Sequence, residues 1–216
     1  MSVAVEKPLV LIAAAGATLV GLLEAPAHAS SIVVFSHGSG SSLHSPRNLL
    51  LAGELRRAGF ATLLLELLTP QEDEDREARF DIGLLSRRLG DTVRWLDARF
   101  PKRGLGIGMF GADTGAASAL RMAAEMPYAV RAVVCRSGRP DLAGGDALAR
   151  VRAPTLLVVG GEDRELMGVN YAARDVMLDC TREVIVVPGA THLFEEPGAL
   201  EQVARHAADW FTRHLR

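Results

Sequence analysis

The sequence predicts an α/β fold, with a mostly parallel central sheet and helices on both of its faces. Three observations carry that expectation. From Ile32 onward, short β-branched or leucine-rich runs alternate with segments of helical period. Each apolar run ends in Gly, Pro or a polar residue. Apolar residues make up 49% of the 216, enough to cover such a sheet on both sides.

The first apolar stretch, residues 9–23, follows Lys7 and precedes Ala27-His28-Ala29, features shared with secretory leaders. Pro8 opens it, Gly16 and Gly21 interrupt it, and Glu24-Ala25-Pro26 closes it like a turn, so it is expected to form a hairpin of strands 9–13 and 18–23. It is too short and too broken for a spanning helix. Six further strands are expected over 32–36, 61–65, 105–110, 132–135, 155–160 and 183–187. Residues 48–58 read as a helix stopped by Gly59. Ile82, Leu85, Leu89, Val93, Leu96 and Phe100 recur at helical spacing until Pro101. Beyond Pro197, Leu200, Val203, Ala204, Ala207, Phe211 and Leu215 form the apolar stripe of a last helix. The acidic run Glu72-Asp73-Glu74-Asp75 is expected to be a solvated loop, because it brings no converging ligands that would make it a metal site. No repeat, linker or shift in composition divides the chain, so residues 1–216 are expected to form one domain.

Twenty-four basic and 26 acidic side chains are spread along the sequence for a net charge of −2, which leaves no basic footprint for nucleic acid or an anionic membrane. A small molecule is the expected partner. Cys135 and Cys180 are too few for a disulfide framework and fit a cytoplasmic protein with reduced thiols. Trp95, Trp210, Tyr128 and Tyr171 are the only large rings with a polar handle.

Residues 105–110 run into Gly111-Ala112-Asp113-Thr114-Gly115 and then into an alanine-rich helical segment, 116–125. Glycines two positions either side of a central residue permit a sharp strand-to-helix turn that pushes the central side chain outward. Ordinarily that centre is serine; here it is Asp113. Phe35-Ser36-His37-Gly38-Ser39-Gly40 follows an early strand, where the Ser39 N–H can face a developing oxyanion and the Thr114 N–H can supply the second donor. Gly160-Gly161-Glu162-Asp163 places a carboxylate after one strand, and Pro188-Gly189-Ala190-Thr191-His192 places an imidazole after the last. The chain order is then nucleophile, acid, base.

With these segments, VVFSHGSGSSLHSPRN, GMFGADTGAA and VVPGATHLFEEPGAL, the chain resembles an α/β-hydrolase, closest to small dienelactone-hydrolase-like members without a cap domain. The resemblance spans nearly the whole sequence. It implies hydrolysis of small carboxylic esters or lactones, no cofactor and no metal, with Asp163 and His192 in the catalytic machinery. It also implies a serine or cysteine at the elbow, from which Asp113 departs.

A carboxylate attacking an ester carbonyl gives a mixed anhydride and has little drive to form it, whereas it suits displacement at saturated carbon. Asp113 therefore leaves three readings: an esterase scaffold whose nucleophile has been replaced, a dehalogenase or epoxide-hydrolase type of enzyme, or a non-catalytic ligand-binding relative. His37, Arg47 and Glu66 are further candidates for the substrate cleft. Against them stand plainer roles: His37 as a brace for the oxyanion loop, Glu66 in loop hydrogen bonds, Arg47 in a surface ion pair. Ser45 is placed to cap the helix that follows it.

Overall fold

The structure, a computed structural model, describes residues 9–38, 41–100 and 105–215. Strands β1 (Leu9–Ala14) and β2 (Ala17–Glu24) pair antiparallel across a two-residue turn at Ala15-Gly16, both with positive φ as the right-handed twist of a hairpin requires. The expected hairpin is therefore part of the sheet. β3 (Ser31–Ser36), β4 (Ala61–Leu65), β5 (Gly106–Asp113), β6 (Val130–Gly138), β7 (Thr155–Gly160) and β8 (Arg182–Val187) complete eight strands in the order β1-β2-β4-β3-β5-β6-β7-β8. β2 meets β4 antiparallel, and every pairing from β4 to β8 is parallel.

Central strands are buried on both faces, which is why they read as continuous apolar runs. On one face lie α4 (Ile82–Arg99), α5 (Thr114–Glu125) and α6 (Gly145–Ala149), with Leu89, Val93 and Leu120 in the core. On the other lie α1 (Pro46–Arg57) and α8 (Ala199–His214), which set Leu51, Leu55 and Phe211 against Phe35 and Phe110. α7 (Arg164–Val176) follows β7. Because the crossovers all return to the same edge, the loops after β3, β4, β5, β6, β7 and β8 gather at one rim of the sheet.

Four strands run past their expected ends, β1 and β2 by one residue and β5 and β6 by three. β5 continues through Gly111 and Ala112, and β6 through Arg136, because these residues pair with one another across the ladder although they lie beyond the apolar runs. The acidic run is also not the solvated loop expected from its composition. Residues of α2 (Pro70–Glu74) and α3 (Arg76–Phe80) organise it: Glu72 completes a capping box with Thr69, Asp73 pairs with Arg79 and Asp75 caps α3. Its anchor is Arg88 of α4, 1% exposed, whose guanidinium donates two hydrogen bonds to Glu72 at 2.7 and 2.8 Å and a third to the Leu67 carbonyl. Ser45 likewise makes no side-chain cap, since Asn48 holds that loop instead, donating to Ser41 Oγ and the Ser42 carbonyl.

Hydrogen bonding from Arg88, the largest influence, holds the Glu72 carboxyl down at about 2 from its ordinary 4.5. A depressed carboxylate stabilises the fold above its unfolded value, and that contribution is lost as pH falls between those limits. Glu72→Gln is expected to cost about 1–3 kcal/mol at neutral pH by leaving Arg88 short of its counter-charge. In urea titrations the variant should also lose the part of the acid sensitivity that falls between pH 4.5 and 2.

Candidate active site

Asp113 closes β5 and precedes α5 with φ 51° and ψ −126°, a backbone conformation that costs about 1–3 kcal/mol for a residue with a Cβ. The surroundings enforce it. A Cβ on Gly115 would overlap the Ser36 carbonyl oxygen, so the first turn of α5 lies directly against the end of β3. Behind it, Ser118 Oγ donates to the Gly115 carbonyl at 3.0 Å, the Ser36 hydroxyl meets Ser118 Oγ at 3.0 Å, and Ser86 Oγ donates to the Ser118 carbonyl. The Arg139 N–H ties down the Asp113 carbonyl at 3.1 Å.

An aspartate before a helix ordinarily turns its carboxylate onto the first N–H groups. Asp113 makes no such cap. Its side chain instead lies over Gly38, where a Cβ would stand 2.5 Å from Asp113 Cβ and 2.8 Å from Oδ2. Only glycine fits beneath it.

His192, on the loop after β8, places Nδ1 2.9 Å from Asp163 Oδ2. Asp163 uses its other oxygen to cap α7, accepting the Leu166 N–H at 3.3 Å, so the helix terminus fixes the carboxylate that orients the ring. The two loops are laced together: the Gly161 N–H donates to the Val187 carbonyl and the Glu162 N–H to the Ala190 carbonyl, while Ser137 Oγ holds the His192 carbonyl at 2.8 Å. Ser137 and Phe194 both adopt positive φ. With Asp113 they are three of the four non-glycine residues that do so among the described residues, and all three border this rim. Asp113, Asp163 and His192 line one open cavity of about 470 Å³, together with Arg139, Glu162 and Glu165.

A second, more enclosed cavity of about 320 Å³ meets the elbow at Gly38 and Thr114. Thr114 is buried at the start of α5, where its N–H belongs to the helix terminus. Ser39, the other expected donor, lies outside the described residues. His37 Nε2 stands 3.0 Å from Glu66 Oε2, and the Leu43 N–H donates to Glu66 Oε1 at 2.7 Å. Burial alone would raise the Glu66 carboxyl, but the bonds from His37 and Leu43 outweigh it and hold the group below its usual range. The pair braces the loop after β3, as the plainer readings of both residues anticipated. Arg47 stands at the rim in an ion pair with Glu195 at 3.2 Å.

Arg136 escaped sequence reasoning. On β6 it pairs with Ala112, one residue before Asp113, and is only 7% exposed. Among the described residues its Nε and Nη1 find no acceptor. Burial pulls its guanidinium down to about 10 and Arg47 adds to that, while Asp113 opposes it. The available signal was a cation at the end of a β-run beside the elbow strand. Cys135, next to it, is an inert core thiol that burial pushes up.

No family model matches the chain. Over 195 residues it is 54% identical to a Mycobacterium tuberculosis protein, found in two strains, that is provisionally described as a phosphoribosyl transferase. That match takes in 90% of this chain but 44% of the relative, so the chain spans less than half the length of the curated relatives it matches. Among solved structures it superposes on dienelactone hydrolase from Anabaena variabilis with TM-score 0.93 and 46% identity, covering 98% of this chain and 99% of that one. An α/β serine hydrolase without a lid from Xanthomonas campestris shares the fold at TM-score 0.77 and 17% identity, over 97% of this chain and 95% of that one.

The elbow geometry predicts that Gly115→Ala destabilises the protein by about 3 kcal/mol, because its Cβ meets backbone that cannot retreat. The denaturant midpoint measures the loss, and Ala119→Gly, buried within α5 but away from the β3 contact, should cost less, about 2 kcal/mol from helix propensity and one lost buried methyl.

Proposed function

Because the chain belongs to the family of dienelactone hydrolase among the α/β-hydrolases, we propose that its site is built to hydrolyse small carboxylic esters or lactones. In this reading the residue at position 113 stands where the nucleophile acts, His192 is the base and Asp163 orients it. The observation that carries it is the 2.9 Å bond between His192 Nδ1 and Asp163 Oδ2, beside an outward-turned elbow residue on the same cavity. With Nδ1 engaged, Nε2 is the nitrogen that moves the proton.

With a hydroxyl at position 113, its oxygen would bond to the substrate carbonyl carbon while His192 Nε2 takes the hydroxyl proton and then gives it to the leaving alcohol. Water, activated by the same nitrogen, would cleave the acyl ester. The N–H groups of Thr114 and Ser39 are the proposed oxyanion donors. The Asp113 carboxylate has no proton to give and favours no anhydride, so in this chain the scaffold binds carbonyl ligands without turning them over.

Displacement at saturated carbon, the chemistry a carboxylate does suit, lacks its helpers. Among the described residues, no Trp or Tyr lines either cavity at the elbow. Tyr128 is 89% exposed, Tyr171 lies under Arg174, and Trp210 spends its N–H on the Pro154 carbonyl. The match to the mycobacterial relative takes in 44% of its length and the match to dienelactone hydrolase 99% of that chain, which favours the hydrolase reading here.

Asp113→Ser is expected to gain turnover of a short-chain aryl ester that the unaltered protein lacks. On that background His192→Ala or Asp163→Asn should lower kcat about 100-fold or more. Ester turnover by the unaltered protein that survives Asp113→Ala would overturn the assignment.

A further inference from the structure

The elbow stands between two unlike spaces. The open cavity beside His192 faces solvent and carries Asp113, Glu162, Asp163 and Glu165; its one arginine, Arg139, is already committed to Asp141 through both carboxylate oxygens. The enclosed cavity runs from Gly38 and Thr114 at the elbow to β2 and α2, and at about 320 Å³ it lies at the small end of ligand pockets.

We propose that the enclosed cavity is the acyl pocket of this site and that it selects short, uncharged acyl groups over carboxylate-bearing ones. The proposal rests on the hydrolase reading above and adds to it the substrate class. Position comes first: Gly38, which touches Asp113, and Thr114, which follows it, both line the cavity, so an acyl chain bonded at the elbow has this space beside it. Wall chemistry comes second. Val20, Leu67, Leu68 and Leu85 supply apolar surface, and the hydroxyls of Thr18, Ser41 and Ser42 supply neutral hydrogen-bonding groups. Charge decides the selectivity. No Lys or Arg is among the described lining residues, while Glu66 and Asp73 are. Glu66 is held ionised by His37 and Leu43, and Asp73 has already drawn Arg79 to it at 3.2 Å. A second carboxylate entering here would meet two anions, and the one lining group among the described residues able to carry positive charge, the His37 ring, is already bonded to Glu66. Arg136, whose donors are unfilled, lines neither cavity.

The alcohol side of the substrate then occupies the open cavity, from which it leaves to solvent.

Two measurements test this. In the Asp113→Ser form, kcat/KM for 4-nitrophenyl butyrate should exceed that for mono-4-nitrophenyl succinate at least tenfold. Val20→Trp, which enlarges a partly exposed wall residue, should lower the ratio of butyrate to acetate kcat/KM at least tenfold; Thr18→Trp serves if that variant does not fold. Equal or faster cleavage of the succinate ester, above all if Arg136→Met abolishes it, would overturn the proposal. The second measurement needs no turnover and uses the unaltered protein: dimethyl succinate should shift the methyl resonances of Val20, Leu67, Leu68 and Leu85, and monomethyl succinate should bind at least tenfold more weakly. If Asp113→Ser cleaves no ester, the hydrolase reading fails while these shifts still judge the pocket. Shifts confined to other methyls, or tighter binding of the monoanion, would sink it.

Discussion

With no Cβ at position 115, the first turn of α5 rests against the Ser36 carbonyl, and that contact dictates where β5 must stop and how sharply the chain must turn. The turn can close only if one residue takes up the strain, and Asp113 does so at φ 51°. Its side chain is thereby thrown outward over Gly38 and away from the helix N–H groups it would otherwise cap. Three serine hydroxyls, from β3, α4 and α5, lock the arrangement from behind in a buried network with each member bonded. Packing of small residues thus sets the direction of a charged group that none of them touches chemically.

The opposite wall of the site is fixed by a different device. Parallel strands return their loops to one rim, but that alone would leave Asp163 and His192 on two independent loops. Backbone bonds from Gly161 to the end of β8 and from Glu162 to Ala190 beyond it tie the two loops together, and the cap on α7 occupies the carboxylate oxygen that the ring does not. The ring is then oriented by a group that is itself held by a helix. Half-exposed as it is, His192 owes its position to its backbone and to Asp163 more than to packing.

Two arginines buried beneath the same rim show how differently a cation can be treated. Arg88 gives both Nη groups to Glu72 and the Leu67 carbonyl, with Nε left without an acceptor among the described residues, and so pins a short acidic helix. Arg136 is almost as deeply buried, yet among the described residues both Nε and Nη1 have no acceptor, and the charges of Arg47 and Asp113 bear on it in opposite senses. The first arrangement recovers most of its desolvation cost in charged hydrogen bonds; the second carries more of that cost at the edge of the site.

The sequence by itself determined the alternation of strands and helices, the hairpin at the start, and the places of Asp113, Asp163 and His192 after their strands, because each rests on local chemistry: apolar period, glycine placement and the residue that follows a strand. It also carried the plain roles of His37, Glu66 and Arg47, whose residue types favour such pairing. Tertiary structure alone decided that the acidic run would be anchored through Glu72 by an arginine 16 positions away, that Asn48 would hold the loop Ser45 was placed to hold, and that Arg136 would lie beneath the elbow. It alone divided the space around Asp113 into an open and an enclosed part. The reason is physical: periodicity reports which face of an element is buried, whereas a buried charge or a cavity depends on what several distant elements bring to one place, and no local pattern records that meeting.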